Sequence, residues 1–209
     1  MAQLLYIESS PRKKRSASIA VSETFLQEYR KAHPQDEVVV VDLWKKELPP
    51  FDGEVIDAKY AIMHGQPHTD EQKKAWKNVE GCIAEFSRAD KYVLSLPMWN
   101  FGIPYKLKHY IDLLVQPGYT FSYSPETGYK GLIVGKKMLM ICARGGAYGQ
   151  ETGAQHLDLQ TRYMETILGF IGFQNIETIL IEPTLSSNEI KDKALKSAQE
   201  KAKALALEF

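Results

Sequence analysis

Five short apolar runs recur along this chain, and between them the apolar residues switch from continuous to helical spacing. The runs "LLYI" (4–7), "EVVVVDL" (37–43), "KYVLSLP" (Lys91–Pro97), "KKMLMICA" (136–143) and "NIETILIE" (175–182) read as strands. The run at 37–43 is β-branched and nearly continuous, which suits a strand covered on both faces. Helical spacing fills the intervals. Residues 18–33 place Val21, Phe25, Leu26 and Tyr29 on one face, and a helix opening at Thr69 aligns Trp76, Val79, Ile83 and Phe86. Two more are expected over 105–115 and 159–168, and a last one aligns Ile190, Ala194, Ala198, Ala202 and Leu205. Thr69 with Gln72, and Ser186 with Glu189, have the spacing of capping boxes. The stretch from "LPPFDGEV" to "HGQPH" reads as a long polar connection. Strands alternating with helices predict an α/β fold: a five-stranded parallel sheet with helices on both faces.

No linker or repeat divides the 209 residues, so residues 1–209 are expected to form one domain. Basic and acidic residues balance at 26 each, which gives no general attraction to nucleic acid or to a membrane surface. The two cysteines, Cys82 and Cys142, lie in a helical and a strand-like pattern. Both look like core residues, and their number argues for a reducing cytoplasm rather than a disulfide framework. The five histidines show no metal-ligand spacing; His64 and His68 flank Gly65 and Pro67 and read as solvated loop. The first apolar run is too short for a signal peptide, and no stretch approaches a membrane span.

Open parallel sheets bind ligands beyond the carboxyl ends of their strands, where the strand order reverses. For an order 2-1-3-4-5 that point lies between strands 1 and 3, which singles out the loops after strands 1, 3 and 4. The first, "SSPRKKRSAS", carries Ser9, Ser10, Ser16 and Ser18 and then opens a helix. Such a helix start presents unpaired N–H groups to an anion such as phosphate, although Ser16 or Ser18 is equally suited to capping the helix. The four cations at 12–15 are open to three readings: a solvated loop, long-range attraction for anionic ligands, or a nucleic-acid or targeting patch. The second loop, "PMWNFGIP", holds Trp99 and Phe101 around Asn100. Its aromatics suit either a flat ring or local packing, and Asn100 offers a donor and an acceptor. The third, "ARGGAYGQETG", lets backbone approach a ligand at Gly145 and Gly146. It is no dinucleotide fingerprint, and "GLIVGKK" is no P-loop.

Taken together, the serine-rich first loop, "PMWNFGIPYKLKHYID", "GLIVGKK", "ARGG" and "LGFIGF" resemble the FMN-dependent NADH:quinone reductases, or azoreductases, of bacteria, in order and over nearly the whole chain. The resemblance implies a flavodoxin-like fold, one non-covalent FMN per subunit, NADH or NADPH as co-substrate, and a homodimer acting on quinones and azo compounds. By position it implies that Ser10 and Ser16, Ala17 and Ser18 bind the FMN phosphate. Met98, Trp99, Asn100 and Phe101 would contact the ribityl chain and ring, and Ala143, Arg144, Gly145 and Gly146 the pyrimidine side. Tyr123 and Phe170 match aromatics of a substrate pocket completed across the dimer. Three positions depart from the pattern: Ala17 where relatives often carry a polar side chain, Trp99 where tyrosine is common, and Ala143 where serine is common.

The implied chemistry resides in the flavin, so no catalytic acid–base dyad, nucleophile or metal is required of the chain. Three other classes remain to be weighed. A flavodoxin-like electron carrier would show an acidic docking surface, which balanced charge does not supply. A hydrolase on this scaffold would carry a G-x-S-x-G elbow, which is missing. A nucleic-acid module would interleave aromatic and basic residues around 12–15, and none are interleaved there.

Overall fold

The first strand, β1 (Gln3–Glu8), buries Leu5 and Ile7 on one face of the sheet and Leu4 and Tyr6 on the other. A strand without a polar face has to be covered on both sides. In this computed structural model, which describes residues 1–209, it is. The remaining strands are β2 (Glu37–Asp42), β3 (Lys91–Pro97), β4 (Phe121–Ser124), β5 (Gly128–Gly131), β6 (Lys137–Ala143) and β7 (Asn175–Ile181). The helices are α1 (Ala17–Ala32), α2 (Gly53–Met63), α3 (Asp70–Arg88), α4 (Tyr105–Leu114), α5 (Leu159–Ile171) and α6 (Asn188–Glu208). Five strands pair in parallel in the order β2-β1-β3-β6-β7, while β4 and β5 form a separate antiparallel hairpin. Skipping the hairpin, the sheet has the order expected from the sequence, and its switch point lies between β1 and β3.

One face of the sheet is covered by α1 and α6. Val21, Phe25, Leu26 and Tyr29 meet Ala198, Ala202 and Ala206, whose small side chains let the two helices approach closely. The other face takes Val55 and Ala58 from α2, Trp76, Val79, Ile83 and Phe86 from α3, and further apolar residues of α4 and α5. Each fully buried large side chain in these layers contributes about 1.5–3 kcal/mol relative to exposure. Cys82 and Cys142 are both free and buried, and burial pushes the Cys142 thiol up to about 12.

Local signals explain most helix starts. Ser16 Oγ lies 3.5 Å from the Ile19 N–H it caps, and Asp52 caps α2 through the Val55 N–H. At α3 the expected box forms in both directions between Thr69 and Gln72. At α6 it does not: the cap is Ser187, which accepts from the Ile190 N–H, one residue later than the expected Ser186 box. Two elements were not anticipated: α2 within the Pro-rich connection, and the β4–β5 hairpin after α4. Tyr119 lies ahead of β4, donates its hydroxyl to Glu80 at 2.5 Å and packs edge-on against Trp76. Phe121 and Tyr129 pack against Phe170 of α5, and Tyr123 against Tyr129.

Candidate functional site

At the carboxyl edge of the sheet the loops after β1, β3, β6 and β7 enclose a cleft of about 340 Å³. Ser10, Ser16 and Ala17 line it from the first loop, Pro97, Met98 and Trp99 from the second, and Ala143 and Gly145 from the third. Arg12, Arg15, Thr184, Leu185 and Lys191 complete it. The last three come from the loop after β7 and the start of α6, which the sequence reading passed over. The signal available was position alone, since that loop too leaves the carboxyl edge. Trp44, just after β2, was also missed; its indole N–H donates to the Ser9 carbonyl at 2.8 Å and its ring lies 6.0 Å from that of Trp99.

The four serines of the first loop divide. Ser9 is fully buried and ties β1 to β3 through its N–H and hydroxyl, both donated to the Ser95 carbonyl. Ser10 faces the cleft. Ser16 faces it too while capping α1, and Ser18 stands behind Ser16 with their hydroxyls 3.1 Å apart. Capping and cleft-lining are thus not alternatives at Ser16. The first-turn N–H groups of Ala17 and Ser18 have no intrahelical acceptor.

The cationic run is not a uniform solvated loop. Lys13 sits in a short 3-10 turn, Lys13–Arg15, with φ at +49°. Its ammonium donates to Asp42 at 2.6 Å and to Glu8. Partial burial disfavours its charge, but the bonds to Asp42 and Glu8 prevail and raise its pKa. Asp42 shows the mirror effect: burial raises it, and the bonds from Lys13 and the Trp44 N–H win and lower it.

In the second loop Trp99 and Gly102 exchange backbone hydrogen bonds at 3.1 and 2.9 Å, closing a two-residue turn. Asn100 and Phe101 form its tip with φ of +48° and +66°. That pair of positive angles suits Asn but strains Phe, a cost that persists where surroundings hold it. Both side chains are exposed; Asn100 borders the groove beside Trp99, and Phe101 packs edge-on against Tyr148.

In the third loop the direction of the Arg144 side chain, open from the sequence, is defined: it does not face the cleft. It is 1% exposed and pairs with Asp158 at 2.9 Å and Glu182 at 3.3 Å, with further bonds to Gln160 and Thr161. Its N–H donates to Ile181 and its carbonyl accepts from Thr184, so its backbone is committed as well. Gly145 and Gly146 differ: neither N–H donates to any acceptor within the protein. Gly146 sits against Tyr148, beside the cleft rather than in its lining. Tyr123 and Phe170 lie apart, in the hairpin cluster, where Tyr123 is 62% exposed and Tyr129 67%.

The donor set fits a phosphorylated ring compound such as FMN. Hydroxyls, free helix-start N–H groups and two unpaired arginines suit the phosphate, while free glycine N–H groups and Trp99 suit a polar-edged ring.

Sheet order and a cleft at its switch point define a flavodoxin-like protein. A family model described as a flavodoxin-like fold matches residues 2–206. The FMN-dependent NADH:quinone oxidoreductase of Desulfotalea psychrophila is 46% identical over 209 residues, covering 100% of this chain and 98% of that one. The azoreductase of Bacillus anthracis strain Sterne has a crystal structure similar at a TM-score of 0.91, with 34% identity and full coverage of both chains. An FMN-dependent NADH-azoreductase of Bacillus anthracis strain Ames Ancestor, solved in complex with FMN, follows at a TM-score of 0.88, with 30% identity over 99% of this chain and 100% of that one. The chain belongs to the family of FMN-dependent NADH:quinone oxidoreductases and azoreductases.

Proposed function

We propose that this protein is an FMN-dependent oxidoreductase that takes a hydride from NADH or NADPH and passes two electrons to quinones and to aromatic azo compounds, which it cleaves to amines. The observation that carries the reading is the convergence of unused hydrogen-bond donors in and beside one cleft: the helix-start N–H group at Ala17 and the Gly145 N–H in its lining, with those of Ser18 and Gly146 next to them. The names of its relatives point the same way, and they favour an enzyme over an electron carrier.

When bound, FMN would supply the two-electron chemistry. The chain's own part is to hold and polarise. Ser10, Ser16 and the Ala17 and Ser18 N–H groups bind the phosphate, with Arg12 and Arg15 close by. Met98, Trp99, Asn100 and Phe101 flank the ring. Ala143 and Gly145 would line its pyrimidine side with Gly146 next to them, and the two free glycine N–H groups would favour negative charge there without reorganisation. Arg144 acts from behind, by fixing that loop.

One cleft serves donor and acceptor in turn, so initial-rate plots at varied concentrations of both should give parallel lines. An azo bond takes four electrons and each hydride brings two, so its cleavage takes two cycles. The reading extends to residues 1–209 as one domain, working in a reducing cytoplasm, which the two free buried cysteines suit. It extends also to a homodimer, in which the cluster formed by exposed Tyr123 and Tyr129 over half-buried Phe121 and Phe170 meets the partner's cleft and completes the substrate pocket.

The test is spectroscopic. Purified protein supplemented with FMN and desalted should keep a flavin spectrum, and anaerobic mixing with NADH or NADPH should bleach it within a turnover. A retained flavin that neither donor bleaches would leave the electron carrier as the better reading.

A further inference from the structure

Glu8 ends β1 and Asp42 ends β2, and the two stand directly opposite each other in the parallel register. Two carboxylates are thus placed side by side at the carboxyl edge, under the loop that carries Ser10 and Ser16. Like charges this close disfavour each other, and together they disfavour any anion nearby. Lys13 answers both problems. It bonds the two acids at once, and its carbonyl accepts the Ser16 N–H at 2.8 Å, just where α1 begins. Its φ of +49° is a conformation that a residue other than glycine keeps only when its surroundings hold it there. Arg12 and Arg15, on either side, have no carboxylate partner and line the cleft. Lys45 also reaches Asp42, but at 3.9 Å with its side chain 82% exposed, which makes it a poor substitute.

We propose that Lys13 is a positioning residue for phosphate recognition: a clamp across Glu8 and Asp42 that fixes the first loop with Arg12 and Arg15 toward the cleft and cancels the acid pair beneath it. The inference rests on the FMN reading above. Lys13 itself does not touch the cofactor. Its effect reaches the phosphate end and not the ring, because the clamp holds the first loop alone.

Riboflavin, which lacks the phosphate, supplies the control. Apoprotein titrated with FMN and with riboflavin, followed by flavin fluorescence, gives the ratio of the two affinities. Lys13→Met should weaken FMN by about tenfold or more and riboflavin by no more than about twofold, since only charge-assisted contacts to the phosphate are lost. Lys13→Arg, which keeps the charge and the reach to both acids, should restore most of the ratio. Adding Glu8→Gln and Asp42→Asn to Lys13→Met should recover part of the FMN affinity by removing the acid pair. Lys13→Gln serves in place of the methionine variant if that one does not fold. Equal weakening of both ligands, or an unchanged ratio, would overturn the clamp while leaving FMN binding intact. Wild-type protein that binds neither flavin would overturn the function proposed above and the clamp with it.

Discussion

Gly131 and Gly172 touch through their backbones: a Cβ built on Gly131 would lie 2.3 Å from the Gly172 nitrogen. Beside that contact the Ile133 N–H donates to the Ile171 carbonyl at 2.8 Å. Gly172 itself closes α5 with φ at +117°, a conformation that needs glycine. The two contacts fasten the exit of the β4–β5 hairpin to the end of α5. Phe121 and Tyr129 consequently lie against Phe170, with ring centroids 4.7 and 5.5 Å away.

Gly131→Ala should therefore destabilise the protein by about 1–3 kcal/mol, because the atoms it would strike are backbone and must shift. Urea unfolding followed by circular dichroism measures the change. A midpoint equal to wild type would mean that the hairpin slides on α5 without cost, and the aromatic cluster would then not be fixed by this contact.

Arg144 carries a second prediction. Its guanidinium joins the start of α5 to the end of β7 through Asp158 and Glu182, and it does so while nearly fully buried. Removing one partner from such a network leaves the others uncompensated, at a cost of about 3–5 kcal/mol. Arg144→Met should lose that much stability. Arg144→Lys should recover little of it, since an ammonium cannot reproduce the planar fork. Because the side chain faces away from the cleft, flavin affinity should fall only as far as the Gly145–Gly146 loop loosens. A variant of unchanged stability but altered flavin reduction would place the guanidinium at the ring instead.

Acid stability should depend on Asp36. It accepts from the Ala2 N–H at 2.7 Å, from the Tyr29 hydroxyl at 2.7 Å and from Lys91 at 3.2 Å, and these bonds, the Ala2 one first, hold its pKa well below the usual carboxylate range. A depressed folded pKa stabilises the protein above the unfolded value of about 4 and is lost as pH falls below it. Asp36→Asn should thus be less stable than wild type at neutral pH, and the gap should close progressively below about pH 4. Thermal midpoints of both proteins across that range test the sign. A constant gap would show that the loss is one of packing rather than ionisation.

The sheet was legible in the sequence because its central strands β1, β3 and β6 are apolar on both faces, and few other elements give unbroken runs such as 37–43. The hairpin was not. Residues 121–124 and 128–131 alternate aromatic with small and polar residues, and the contact that seats the hairpin, Gly131 against Gly172, joins segments distant in sequence. The cap of α6 moved by one residue because two adjacent serines offer the same chemistry, and the chain geometry after β7 decides between them. In the site, Ser10, Ser16, Trp99 and Gly145 were readable from loop position and residue type. The direction of Arg144 was not, since its partners Asp158 and Glu182 come from distant segments. Nor was the split of the cations, because Glu8 and Asp42 become neighbours only through the strand pairing.

The last prediction concerns the proposed homodimer. Tyr123 and Tyr129 are 62% and 67% exposed, yet they join one aromatic surface: Tyr123 packs tilted against Tyr129, and Tyr129 against Phe121 and Phe170. Isolated exposed aromatics are ordinary, but a contiguous cluster is the mark of a surface that becomes covered. None of its members lines the chain's own cleft, so in the homodimer proposed above the cluster would serve the cleft of a neighbouring copy. Under a two-fold axis each copy would give its cluster to the other's cleft. Two inactive variants should then complement each other. One carries Asn100→Ala with Gly146→Val and is damaged in the cleft; the other carries Tyr123→Ala with Phe170→Ala and is damaged in the cluster. When the two are mixed and allowed to exchange subunits, half of the sites in each mixed dimer combine an intact cleft with an intact cluster. Quinone reduction should reappear with the time course of exchange and reach a plateau below that of wild type. No recovery after exchange has been verified by mass, or full activity in a protein that sediments as a monomer, would refute the shared site.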